Sequence, residues 1–176
     1  MKDDKAGTSF RLAPMSPLSR TCTLFLLALP PTFLIAALYL TSVLTELTLI
    51  TLLFTATYIW IWLWFRPTRF IVHRGGIEVC WPLKRREIAQ EDISNVRLMD
   101  VQQLKREIGW GVRIGAGGLW GGFGWLWTKR RGVVQMYVSR TDGYVWLDCT
   151  GKRPWLITPE QPETFVRALS RLYPLE

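Results

Sequence analysis

Residues 21–65 read TCTLFLLALPPTFLIAALYLTSVLTELTLITLLFTATYIWIWLWF, and this stretch decides what kind of protein the chain can be. Between Cys22 and Phe65 a single charge interrupts it, Glu46. One helical crossing of a bilayer takes about 20 residues, so the stretch is too long for one crossing and suits two. The polar break Thr41-Ser42 and Thr45-Glu46 divides it into predicted spans at about 21–43 and 47–65, folded back as a hairpin with Glu46 in the turn. Pro30-Pro31 lies inside the first span and should kink it, which membrane helices tolerate when neighbours satisfy the freed carbonyls. A secretory signal would have a shorter apolar core and a small-residue cleavage site, and neither is present.

Lys2, Lys5, Arg11 and Arg20 precede the first span and Arg66, Arg69 and Arg74 follow the second, whereas the turn holds neither Lys nor Arg. The positive-inside rule then places both termini in the cytoplasm. The second span ends in Trp60, Trp62 and Trp64, whose rings suit a membrane interface or another protein. Residues 1–20, with Gly7, Pro14 and Pro17, read as a flexible tail.

The whole chain has 176 residues, 49% of them hydrophobic, a mean hydropathy of +0.12 and a net charge of +8. With the apolar stretch set aside, about 110 residues remain, enough for one small domain. A soluble enzyme, a disordered tail protein and a multi-domain chain are excluded. The three cysteines, Cys22, Cys80 and Cys149, have no C-x-x-C spacing and read as buried, reduced thiols.

From Arg66 the pattern changes to short β-prone runs. Residues 69–73 and 77–81 flank Gly75-Gly76 as a hairpin; 85–89 and 93–99 follow. Residues 133–138 and 144–149 flank Asp142-Gly143 as a second hairpin, and 154–157 form the last strand. The chain closes on a helix opened by Pro162, with Phe165, Val166, Leu169 and Leu172 on one apolar face.

The run Ile77–Trp81, Arg85-Arg86-Glu87-Ile88 and Asp92–Val96, the segment Gly118–Gly124, and the ending Ile157–Phe165 resemble the bacterial PH (pleckstrin-homology-like) domains found behind transmembrane helices. The resemblance covers most of residues 68–172. It implies an all-β PH-like barrel over residues 66–176, capped by one C-terminal helix and set at a membrane. It implies no reaction.

No catalytic constellation is found. His73 stands alone beside Arg74 in the first strand, and no Cys/His metal spacing, G-x-S-x-G or P-loop occurs. Gly115, Gly117 and Gly121 miss the dinucleotide fingerprint by one place. Asp148 is expected to face outward. An enzyme is not expected, nor a cofactor or metal.

The richest segment is Gly109–Arg131, where eight glycines alternate with Trp110, Trp120, Trp125 and Trp127 before Lys129-Arg130-Arg131. Two readings stand: a loop resting on lipid headgroups, or a long hairpin folded over the barrel with its rings in the core. Lys84-Arg85-Arg86 adds a juxtamembrane cationic group that anionic lipids would attract. A nucleic-acid partner is not expected, because the domain is tethered at a bilayer and lacks an RNP-type aromatic pattern.

Two functions fit. One is an accessory or assembly subunit on the cytoplasmic face of a larger integral membrane protein complex; the other is a stand-alone lipid-surface or structural module. In outline the layout also resembles the small photosystem I assembly factor of cyanobacteria and chloroplasts, which implies a thylakoid as an alternative to a bacterial inner membrane.

Overall fold

Residues 7–172 are described by a computed structural model. The first element is a strand, β1 (Thr8–Arg11), where a flexible tail was expected. Ser9-Phe10-Arg11-Leu12 alternates polar and apolar, and both Phe10 and Leu12 reach the core. Four residues cannot hold a strand by themselves; β1 exists because it pairs with β2 (Arg69–His73), antiparallel, Arg11 opposite Arg69. The rest of the expected tail, residues 1–6, lies outside the described residues.

Ser16 then caps α1 (Pro17–Tyr39), accepting from the Ser19 N–H, and Pro17 occupies the first turn, where no amide is required. A short 3-10 turn, Thr41–Val43, leads to α2 (Leu44–Trp64). Glu46 therefore sits in the first turn of α2 rather than in the connection, where a carboxylate suits the positive helix end. Both helices are long and apolar enough to cross a membrane. Only Thr23, Ala37 and Tyr58 are buried along them, so the leucines face outward on nearly every side. A helix apolar all round requires apolar surroundings. Pro30 has no N–H for the Leu26 carbonyl four residues back, and the Tyr58 hydroxyl of α2 donates to that carbonyl at 2.8 Å.

The remaining elements make one β-rich domain. β2, β3 (Gly76–Cys80) and β4 (Arg85–Ala89) complete a four-stranded sheet in the order β1-β2-β3-β4. A second sheet holds β5 (Ile93–Met99), β6 (Gly111–Gly117), β7 (Gly122–Thr128), β8 (Gly132–Val138), β9 (Tyr144–Cys149) and β10 (Trp155–Ile157), with α3 (Val101–Ile108) between β5 and β6. Its order is β5-β9-β10-β8-β7-β6. The sheets face each other as an open sandwich, since no ladder joins one to the other.

Between them lies a cluster of Phe10, Phe70, Val79, Phe123, Leu147, Trp155, Ile157 and Phe165. The last helix, α4 (Pro162–Leu172), closes this core by inserting Phe165 against Phe10 at 5.1 Å and Phe70 at 6.2 Å, both edge-on. A smaller cluster on the far face of the second sheet, including Leu126, Val134, Trp146 and Leu156, is covered by Leu104 and Ile108 of α3.

Three local expectations change. Residues 133–138 and 144–149 do not pair as a hairpin, because β10 lies between them, parallel to β8 and antiparallel to β9. The helix α3 was not foreseen, although Asp100 and Gln103 form a capping box and Gly109 ends it at φ +65°. Cys80 is buried and Cys149 half-buried as free thiols, but Cys22 is exposed on α1.

Because β1 and β2 are antiparallel neighbours, the end of β1 adjoins the start of β2, and the Leu12 N–H donates to the Thr68 carbonyl at 3.2 Å. The helical pair is thus inserted into a β-hairpin of the domain.

Candidate functional site

The glycine-tryptophan segment is the long hairpin β6–β7, and it divides the two readings offered by the sequence. Gly115 and Gly124 face each other across it with φ of +134° and +128°, and a Cβ at either would meet the opposite backbone carbonyl at 2.4 or 2.6 Å. Only glycine permits that close approach. At the tip, Gly118–Gly121 turns within a Gly118 N–H to Gly121 carbonyl bond of 3.0 Å, with Trp120 in the left-handed region at φ +58°.

This strained tip is held by the helices. The Thr23 hydroxyl of α1 accepts from the Trp120 N–H at 2.8 Å and lies 3.0 Å from the Gly118 carbonyl. The Trp120 ring packs edge-on against Trp62 of α2 at 5.0 Å, and Trp62 carries the Arg66 guanidinium on its face at 4.4 Å. Nothing in the local sequence marked Thr23; its partners are about a hundred residues away. Replacing Thr23 with valine keeps the shape and removes the hydroxyl, so the turn should lose about 1–3 kcal/mol. Faster amide exchange at Trp120 is the expected readout, and unchanged protection would mean that Trp62 alone holds the tip.

Beyond the tip, the inner face of the hairpin continues past the cover of the first sheet. Ile114 opposite Trp125 and Val112 opposite Trp127 lie exposed there, and Trp110, 66% exposed, meets Trp127 edge-on at 6.4 Å. The rings are therefore partly core, Trp120, and partly surface: Trp110, Trp125 and Trp127.

The flanking cations are less free than their sequence implied. Arg131 pairs with Glu107 of α3, and the Arg130 guanidinium donates to the Arg106 carbonyl, leaving Lys129 exposed at the turn. Glu107 also receives Arg97 at 3.2 Å; Arg97 reaches Asp148 at 2.9 Å, and Trp146 Nε1 donates to Asp148 at 2.8 Å. Asp148 is accordingly a partnered, half-buried carboxylate rather than an outward-facing one. Burial alone would raise the Glu107 carboxyl, but the Arg131 and Arg97 guanidinia outweigh it and hold the group below its ordinary range.

Lys84, Arg85 and Arg86 likewise diverge. The Lys84 ammonium stands 4.7 Å over Trp81 and 5.7 Å over Trp64 at the end of α2, and burial together with Arg86 pulls its pKa down. Arg85 faces outward and pairs with Glu78 at 3.4 Å. Arg86 turns to the open edge of the sandwich, donating to Gln135 at 3.0 Å over the Trp155 ring. Trp60 is exposed on α2.

His73 is a buried turn residue: its Nδ1 accepts from the Gly75 N–H at 3.1 Å and its Nε2 lies 3.5 Å from Glu87. Among the described residues no group of three His, Cys, Asp or Glu side chains could hold a metal ion.

A match to the family described as Bacterial PH domain covers residues 68–173, more than half of the chain. The chain belongs to the bacterial PH domain family. No match was found among curated proteins or solved structures. In this bacterial PH domain the strand β1 lies outside the matched residues, on the far side of the helical insertion, yet completes the sheet.

Proposed function

We propose that this bacterial PH domain protein is a non-enzymatic, membrane-anchored accessory or assembly subunit that docks on the cytoplasmic face of a larger integral membrane protein complex. The observation that carries this is the uncovered strip of Trp110, Val112, Ile114, Trp125 and Trp127. An apolar surface of this kind, built on sheet rather than loop and rich in Trp, has the character of a protein interface. Two cations beside it, Arg130 and Arg131, are already engaged within the chain, which favours a protein over lipid phosphate as its occupant. The helices α1 and α2 act as the anchor, with both termini on the cytoplasmic side of a bacterial inner or thylakoid membrane.

A photoreactive residue at Trp125 should yield a stoichiometric adduct with one integral membrane protein in native membranes, and none when placed at Arg74. Adducts with lipid alone would instead select the stand-alone lipid-surface module, which the stacking of Lys84 over Trp64 favours. The orientation is tested separately. A cysteine at Glu46 should react with an impermeant thiol reagent in intact cells, and one at Arg74 should not; the reverse labelling would overturn it.

A further inference from the structure

The junction where the helical pair enters and leaves the domain gathers positive charge. Arg11 is the last residue of β1, shortly before α1, and Arg69 opens β2, shortly after α2. They are direct cross-strand partners on the outer face of the first sheet. The same row continues through Cys80 of β3 to Arg85 of β4, and Lys84 stands beside it. Together these residues line an open cleft of about 870 Å³, with Trp81 in its wall.

Like charges directly opposite each other on a sheet are destabilising. Here Arg11 faces Arg69, and among the described residues neither forms an ion pair with a carboxylate. Only Arg85 has one, Glu78 at 3.4 Å. The cleft therefore has a cationic excess that the described residues do not neutralise. Its height is set by the helix ends: Thr68 and Arg69 follow Trp64 within five residues, and Lys84 lies over the Trp64 ring. Headgroups occupy roughly the 5–8 Å beyond the hydrocarbon on each side of a bilayer, so a cleft at the end of a span opens at that level.

We propose that this cleft binds a phosphate-bearing anion, held by Arg11, Arg69, Lys84 and Arg85. Arginine forks match phosphate oxygens, and the ligand's charge relieves the Arg11–Arg69 repulsion. The site is distinct from the β6–β7 strip and does not depend on the protein-docking reading. It also sorts the sequence cluster Lys84-Arg85-Arg86, since Arg86 points to the opposite side of the sheet and takes no part.

The test uses the full chain in a non-ionic detergent, titrated with short-chain phosphatidylglycerol, short-chain phosphatidylcholine and inorganic phosphate. The native chain should bind phosphatidylglycerol in preference to phosphatidylcholine. Arg11→Gln with Arg69→Gln should weaken this about tenfold or more, while Arg74→Gln with Arg153→Gln, an equal loss of charge elsewhere, should not. Tight binding of inorganic phosphate that is lost in the same variant would place the site with a soluble anion instead of a lipid. Without ligand the Arg11/Arg69 variant should melt no lower than the native chain. Should it fail to fold, Lys84→Gln with Arg85→Gln gives the same binding test. Equal affinity in native and cleft variants, equal losses in cleft and control variants, or no anion binding would each overturn the proposal.

Discussion

Phe165→Ala is expected to cost about 3–5 kcal/mol, as for other buried phenylalanines truncated in a core. The ring is fully buried, edge-on to both Phe10 and Phe70, and it is the point at which α4 closes the open sandwich. Those two aromatic neighbours come from β1 and β2, so the cavity would lie where the helix, the first strand and the second meet. They are also strand residues whose positions are set by ladder hydrogen bonds, which limits how far they can collapse into the space. Since a domain is typically stable by only about 5–15 kcal/mol, the melting temperature should fall by many degrees. A near-unchanged melting curve would mean that α4 is held chiefly by its other contacts.

An equally large effect is expected from beginning the chain at Arg66. That deletion removes the helices together with β1, and with β1 go the buried side chains of Phe10, Leu12 and Ala13. It also removes the hydrogen bonds of the Ala13 N–H to the Thr158 carbonyl at 2.9 Å and of the Ser139 hydroxyl to the Ala13 carbonyl at 2.6 Å. Loss of Phe10 alone is worth about 3–5 kcal/mol, so the shortened chain should lack a cooperative unfolding transition. Joining residues 7–13 to Thr68 through a few Gly and Ser residues should restore it, because the end of β1 already adjoins the start of β2. Calorimetry of the two soluble forms makes the comparison. A cooperative transition in the chain that begins at Arg66 would show that the edge strand is dispensable.

This second result bears on where the domain begins. Residues 68–173 carry the family likeness, and the change from apolar run to short strands at Arg66 looks like a boundary. It is a boundary in composition only. The chain enters the sheet at Thr8, leaves it for two helices, and returns beside the strand it left.

The two helices, seven of the ten strands and the closing helix follow from local pattern: an unbroken apolar run, alternation around turn residues, and a 3.6-residue apolar stripe after Pro162. These signals are local because the backbone geometry that produces them repeats within a few residues. The cap of α3 is equally local, with Asp100 and Gln103 three residues apart, but it directly adjoins the glycine-rich run. β6 and β7 were obscured differently. Their glycines resemble a loop until Gly115 and Gly124 are seen to face the opposite strand's backbone at a distance no Cβ permits.

What no local pattern contained was the pairing of distant segments. β1 is too short to announce itself and is a strand only beside β2. β10 displaces an apparent hairpin because its hydrogen bonds to β8 and β9 fill the space between them. Thr23 becomes a clamp only when a turn nearly a hundred residues later is laid against it, and Arg11 becomes part of a cationic row only when β1 has docked. Two helices long and apolar enough to cross a membrane, a β-rich domain and the residue types present all follow from composition and short-range periodicity. Which tryptophans are core and which are surface, and which cations are paired within the chain, follow instead from the fold, because burial and pairing are properties of the neighbours that folding supplies.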